Sequence, residues 1–228
     1  MPVIDVIIPA FNEENSVKKV ILDIPLNLVR EVIVVNNNSN DATSENAAAA
    51  GATVLLETFQ GYGAACLKGM AYISSKETLP DILVFLDADY SDYPQQMEAL
   101  IKPILERHYD LVIGSRVLGR KEKGSMTLPQ QFGTKLATIL LRIFYNVEYT
   151  DLGPFRAIRY TSLLKLKMRD KTFGWTVEMQ LKAAQQKMKI TEVGVDYRKR
   201  IGFSKISGTV KGTIMAGYKI ISTIFRYL

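Results

Sequence analysis

The chain has 228 residues, which bounds it to one large domain or two small ones. Hydrophobic residues make up 47%, enough for a substantial core, and 29 basic against 23 acidic residues leave a net charge of +6, which favours an anionic partner: a nucleotide phosphate, a nucleic acid or an anionic membrane. A single cysteine, Cys66, excludes an internal disulfide and fits a reducing compartment, and a single histidine, His108, excludes a multi-histidine metal site within one chain.

The chain opens with an apolar, β-branched run, Val3 to Pro9, that reads as a buried strand. No basic region followed by a long apolar run precedes it, so no signal peptide is expected. After the polar Ala10 to Asn15, residues Val17, Val20, Ile21 and Ile24 recur at helical spacing, and Asn12 is expected to cap that helix with acids in its first turn. Glu31 to Val35 is predicted as a second strand. It runs into Asn36-Asn37-Asn38-Ser39-Asn40-Asp41, residues suited to turns. A helix over Ala42 to Ala50, stopped by Gly51, precedes a third strand at Ala52 to Leu56. Gln60-Gly61-Tyr62-Gly63 then opens a helix to near Ser75. The apolar run Ile82 to Leu86 is the fourth strand, continuous enough to be buried on both faces. A helix begins at Pro94, with Met97, Leu100, Ile101 and Leu105 as its buried stripe, and Asp110 to Gly114 is the fifth strand. This alternation implies right-handed βαβ units and a mainly parallel sheet flanked by helices, an α/β fold.

The pattern changes after Arg116. Leu118 to Thr127 reads as a basic, Gly-containing loop, and Phe132 to Tyr145 as a strongly apolar helix. Thr150 to Arg159 reads as a turn and a short strand, Gly174 to Glu178 leads into a helix through Lys187, and Ile190 to Tyr197 is a strand. Arg198 to Lys205 is a basic loop, and a last helix runs from near Thr209 to the end. No stretch reaches ~18 uninterrupted apolar residues, so no transmembrane helix is expected. Without a repeat or linker, residues 1–228 read as one unit with two subregions, 1–116 and a smaller 117–228.

Asp87 and Asp89 stand where the fourth strand ends, at the sheet edge where open α/β folds bind ligands. Alternate residues of an extended chain point the same way, so both carboxylates can face one ion. Two hard oxygen ligands suit Mg²⁺ or Mn²⁺ that also takes phosphate oxygens and water. The plain alternative is an acidic turn. Gly61 and Gly63 follow a strand and open a helix like a dinucleotide fingerprint, but Cys66 occupies the third glycine position, so a tight turn that lets backbone approach a ligand is the better reading. The asparagine run lies at the same sheet edge, and amides that both donate and accept suit a nucleobase edge. Aromatic and basic residues are not interleaved as a nucleic-acid stacking platform requires, so nucleic acid is not an expected partner.

Val6-Ile7-Ile8-Pro9-Ala10-Phe11-Asn12-Glu13-Glu14 resembles the opening of family 2 glycosyltransferases, as do Val34 to Thr43, Asp87-Ala88-Asp89-Tyr90-Ser91 and Gly114-Ser115-Arg116, in matching order and spacing. Gly153-Pro154-Phe155-Arg156-Ala157-Ile158 and Arg200-Ile201-Gly202-Phe203-Ser204-Lys205 resemble the branch of dolichyl-phosphate mannose and glucose synthases. The resemblance implies a GT-A fold, a UDP- or GDP-linked hexose donor, a divalent metal and a polyprenyl phosphate acceptor. It places Pro9, Asn12, Glu13, Gly61, Gly63 and Ala88 around the nucleotide sugar, Asp87 on ribose or metal, and Asp89 on metal. Asn36 and Asn37 stand where most members carry acids, which leaves the base, uracil or guanine, open. It sets Arg116 and Arg156 toward the sugar or acceptor, and Arg200 and Lys205 toward phosphates. Transfer would proceed by one in-line displacement with inversion, the departing diphosphate being stabilised by metal and fixed cations. A hydroxyl acceptor would need a general base, for which Glu178 stands in the family's position; otherwise Glu178 is a solvated acid at a helix start. A phosphate acceptor is already ionised and needs none. A non-catalytic nucleotide-sugar binder is the reading from another class.

The last helix carries Ile214, Tyr218, Ile221, Ile224 or Phe225, and Leu228 on one side and Lys211, Lys219, Ser222 and Arg226 on another. Leu136, Ile139, Leu140, Ile143 and Phe144 give the helix before it an apolar surface. An apolar stripe beside a basic one suits a helix lying in a membrane interface, so a peripheral protein on the cytoplasmic face is expected; the alternative is that both helices complete the core or a dimer contact.

Overall fold

The computed structural model describes residues 2–202 and 210–227. The β-branched runs form the centre of a seven-stranded sheet: β1 (Ile4–Ala10), β2 (Glu31–Asn36), β3 (Thr53–Leu56), β4 (Ile82–Phe85), β5 (Leu111–Ser115), β6 (Arg156–Arg159) and β7 (Ile190–Gly194), in the order β3-β2-β1-β4-β6-β5-β7. All pairings are parallel except those of β6, which lies antiparallel between β4 and β5. The later part of the chain thus completes the sheet begun by the earlier part.

Alternate side chains feed two cores. Ile7, Ile33, Val35, Leu83 and Phe85 face α3 (Tyr62–Ser74), α5 (Leu128–Tyr145), α7 (Trp175–Gln185) and α8 (Val210–Arg226). Val6, Ile8, Val34 and Val84 face α1 (Val17–Leu22), α2 (Thr43–Ala49) and α4 (Met97–Arg107). α3 lies close on β1 because Gly69 faces Ile7, whose Cδ1 would be 2.9 Å from any added Cβ.

Several expectations are corrected. Asn12 does not cap α1. It sits at φ 53°, four residues before the cap position Ser16, and α1 has no acid in its first turn. The buried stripe of α4 ends in Ile104, not Leu105, which is exposed, and a 3₁₀ turn at Pro94–Gln96 delays the α-helix to Met97. α5 starts four residues early, at a capping box of Thr127 with Gln130 that the sequence carries in plain form. A short helix, α6 (Tyr160–Leu166), follows β6 without a break. Its seven residues, with no turn residue before them, give no signal of their own.

α5 and α8 pack together, Phe144 edge-on to Phe225 at 5.4 Å and the Tyr145 hydroxyl donating to the Ile224 carbonyl at 2.8 Å. Ala137, Leu141 and Ile224 go into the core, while Leu128, Phe132, Ile139, Ile143, Met215, Tyr218 and Phe225 face outward. Lys205, and the side chains of Lys211, Ile214 and Leu228, lie outside the described residues. No described helix is long and apolar enough to cross a membrane.

Candidate active site

The carboxyl ends of β1, β2 and β4 meet where the strand order reverses, β2 lying on one side of β1 and β4 on the other. A cavity of about 450 Å³ opens there, within the ~300–1,000 Å³ usual for ligand sites. Its floor is Pro9, Ala10, Phe11, Asn37 and Asp87 to Asp89; its walls are Glu13, Gln60 to Tyr62, Thr172, Phe173, Arg200 and Met215.

The two carboxylates behave differently. Asp87 is deeply set, its Oδ1 buried without a hydrogen-bond partner, and burial, reinforced by the charge of Asp89, pushes its carboxyl up to about 7. Asp89 folds the chain into a tight turn, its Oδ1 accepting from the amide and hydroxyl of Ser91. Its Oδ2 meets the Arg200 guanidinium at 3.3 Å. Arg200 also bonds Glu13 Oε1 at 2.9 Å, and the backbone beyond it is fixed by Ile201 N–H donating to the Asp89 carbonyl at 2.9 Å. Tyr62 adds a buried hydroxyl that faces the Asp87 carboxyl without a well-formed hydrogen bond. Among the described residues no three histidine, cysteine or carboxylate side chains are arranged to hold a metal. Two carboxylates, one with an orphaned buried oxygen, instead fit an ion that completes its shell with phosphate and water.

The amides at this edge order loops. Asn36 Oδ1 accepts from Ser39 N–H and its Nδ2 donates to Ser44. Asn37 Nδ2 donates to the carbonyls of Glu57 and Phe59, and its Oδ1 accepts from Gly61 N–H at 2.7 Å. Asn12 accepts from Asn40 N–H, while its own N–H donates to Ser39 Oγ. Of the two amides expected to read a base, Asn37 alone borders the cavity, and both already hold loop groups.

Other expectations change too. Arg116 is buried and clasps Asp151 with two 2.7 Å bonds, its face on the Tyr197 ring. Burial opposes the charge on each, and the pairing overcomes it, raising the guanidinium and lowering the carboxyl. Arg156 is wholly buried and donates to the carbonyls of Leu152, Gly153 and Thr176. Neither arginine lines the cavity. Glu178 is neither solvated nor at the cavity: it is fully buried and ion-paired with Lys182 at 2.6 Å. Gly61 and Gly63 do permit a close backbone approach, but by the chain itself: Gly63 N–H donates to the Thr172 carbonyl and Ala64 N–H to that of Lys171. The loop bringing Thr172 and Phe173 to the cavity looks in sequence like an ordinary charged surface loop. Tyr62, between two glycines at a helix start, was the one missed residue with a visible signal.

An open α/β sheet with an Asp-x-Asp pair at its switch point and an arginine facing it is the arrangement of a nucleotide-sugar transferase. Comparison with known proteins agrees. Residues 5–167 match glycosyl transferase family 2. An undecaprenyl-phosphate mannosyltransferase of Micrococcus luteus is 30% identical over 225 residues, covering 90% of this chain and 88% of that protein. A dolichyl-phosphate hexose transferase of Haloferax volcanii is 29% identical over 209 residues, covering 88% and 85%. Glucosyl-3-phosphoglycerate synthase from Mycobacterium tuberculosis, solved with Mn²⁺, UDP and glucosyl-3-phosphoglycerate, superposes with a TM-score of 0.77 at 22% identity, over 99% of this chain and 80% of that one. The fold is GT-A. The chain belongs to glycosyl transferase family 2 and is an enzyme, a glycosyltransferase working from a nucleotide sugar.

Proposed function

We propose that the enzyme moves a hexose from a UDP- or GDP-sugar to a polyprenyl phosphate, with a divalent metal, at the cytoplasmic surface of a membrane. The observation that carries this reading is the convergence of Asp87, Asp89 and Arg200 on one cavity, with Asp87 Oδ1 buried and only the Tyr62 hydroxyl facing its carboxyl. Asp87 and Asp89 would hold Mg²⁺ or Mn²⁺; the chemistry such an ion supplies is charge stabilisation of the departing diphosphate. Arg200, now balanced between Glu13 and Asp89, is a cation within reach of the phosphates that would exchange a carboxylate for them. Pro9, Phe11 and Tyr62 would pack the nucleoside and exclude water.

The acceptor assignment draws on the polyprenyl-phosphate relatives and on Glu178. A hydroxyl acceptor needs a base, and Glu178 is buried away from the cavity with its oxygens engaged. A phosphate acceptor brings its own charge. Membrane association is supported by the outward side chains of α5 and α8, three of which, Phe132, Ile143 and Tyr218, are 71%, 67% and 73% exposed.

The test is a panel of radiolabelled sugar nucleotides offered with a polyprenyl phosphate, with and without chelator. One donor should transfer, and only with free divalent metal. Transfer in excess chelator would refute the metal; transfer only to water-soluble hydroxyl acceptors would refute the lipid phosphate.

A further inference from the structure

The cavity wall formed by Thr172 and Phe173 belongs to a loop built on two carboxylates. Glu178 Oε1 accepts from Arg169 N–H at 3.0 Å and the Tyr227 hydroxyl at 2.7 Å, and pairs with Lys182 Nζ at 2.6 Å. Its Oε2 accepts from Arg169 N–H at 3.1 Å and Asp170 N–H at 2.7 Å. Asp170 Oδ1 accepts from the N–H groups of Thr172 and Gly174, and its Oδ2 meets Lys219 Nζ at 2.9 Å. Lys182 also donates to the Lys167 carbonyl at 2.7 Å. On its far side the loop offers the Lys171 and Thr172 carbonyls to Ala64 and Gly63, two donors of α3's first turn that have no partner within the helix.

Two groups of this cage, Lys219 and Tyr227, come from the C-terminal helix and the residue after it. A carboxylate has about four acceptor sites, and the donors around Glu178 occupy them, leaving none for a proton from an acceptor. We propose that Glu178 is a positioning residue: with Asp170 it straps the loop 169–174 to α8, so that the C-terminal helix holds the donor cavity's wall in place. The inference rests on reading that cavity as the donor site. It gives α8 a second role beside the surface-facing one. Whatever moves the helix, a lipid surface included, is felt at the nucleotide through Lys219, Tyr227 and the loop.

The test titrates UDP and GDP with Mn²⁺ onto wild type, Tyr227→Phe, Lys219→Gln and Glu178→Gln, and measures KM, kcat and the pH–rate profile with the transferring donor. Tyr227→Phe and Lys219→Gln each remove one bond to a charged group and are expected to weaken nucleotide binding and raise donor KM by up to about tenfold. Their kcat should stay within about threefold, and the profile should keep its shape. Glu178→Gln should shift the same parameters further. If it instead retains nucleotide affinity, loses about 100-fold or more in kcat and loses the rising limb of the profile, it is a general base and the proposal is overturned. Wild-type affinity in Tyr227→Phe and Lys219→Gln, both at the periphery where substitution spares the core, overturns it as well. A wild type that binds neither nucleotide overturns the donor reading, and the strap with it.

Discussion

Gly63→Ala tests the contact between α3 and the cavity loop. An added Cβ would fall 2.8 Å from the carbonyl carbon of Asp170 and 3.0 Å from that of Lys171, and closer still to the Asp170 oxygen. Carbon contacts settle at ~3.5–4.0 Å, so backbone must part from backbone by on the order of 1 Å. No side chain can rotate away to absorb this. Overpacking of that kind costs about 1–3 kcal/mol, against which the gain in helix propensity, at most ~1 kcal/mol, is small. For a chain of this size each kcal/mol lowers Tm by about 2–4 °C. The shift also carries Thr172 and Phe173 out of register with Tyr62, and a misplacement of ~1 Å in a binding site can cost on the order of 100-fold. Gly133→Ala and Gly217→Ala are the controls. Both lie inside helices with nothing within 4 Å of the added Cβ, so each should gain about 0.5–1 kcal/mol and leave binding alone. The assay is thermal unfolding beside calorimetric titration of UDP and GDP. Wild-type stability and affinity in Gly63→Ala would refute the reasoning.

Asp89→Asn should retain the turn to Ser91, because the amide oxygen still accepts, yet abolish metal-dependent transfer; undiminished turnover would count against the metal site. Burial raises the Asp87 carboxyl from 3.8 to about 7, so it is mostly protonated below that pH. Ionising it on the way from pH ~4 to ~7 therefore removes stability, while metal binding must displace its proton, so Mn²⁺ affinity should rise about tenfold per pH unit up to near 7 and then level off, a slope that Asp87→Asn would lack. Arg116→Lys should break the paired bonds to Asp151 and lower stability by ~1–3 kcal/mol, read by urea unfolding, since an ammonium cannot reproduce the fork. Phe132→Ser with Ile143→Ser should lower co-sedimentation with anionic vesicles tenfold or more, each side chain contributing up to ~1.5–3 kcal/mol on burial, and leave nucleotide binding intact; equal sedimentation would place the membrane contact elsewhere.

The elements of the first half were legible because each carries its own period. Val32 to Val35 and Ile82 to Phe85 are continuous apolar runs, and they are buried on both faces. α4 was legible in kind and in phase, Met97, Leu100 and Ile101 all being buried; its delayed start at Met97, after a 3₁₀ turn at Pro94, was not. β6 was visible as a short strand, but its insertion between β4 and β5, against their direction, was not. Nothing local in Arg156-Ala157-Ile158-Arg159 distinguishes a central strand from an edge one, and its terminal arginines argue for the edge.

The site divides along the same line. Asp87 and Asp89 were legible because their position follows from one strand's end and one turn, a range of a few residues. Arg116, Arg156 and Glu178 are charged residues read as reaching for a ligand, and each is instead held inside the protein by hydrogen bonds. Their partners are Asp151, the carbonyls of 152, 153 and 176, and the amides of 169 and 170 with Lys182 and Tyr227. Sequence gives a charge but not its partners, and an ion buried without a counter-charge or hydrogen bonds is so unfavourable that the fold supplies one or the other from wherever the chain returns. Arg200 is the case that decides between the two fates. Unlike the buried arginines, one held by a single carboxylate and the other by carbonyls, it bridges two carboxylates, and it does so at the cavity wall with Nε unpartnered. On the proposed reading, a phosphate group would take over this guanidinium without leaving a buried charge behind, because a metal would take the Asp89 carboxylate in exchange. The guanidiniums of Arg116 and Arg156 do not reach the cavity, so the proposed phosphate cation is Arg200.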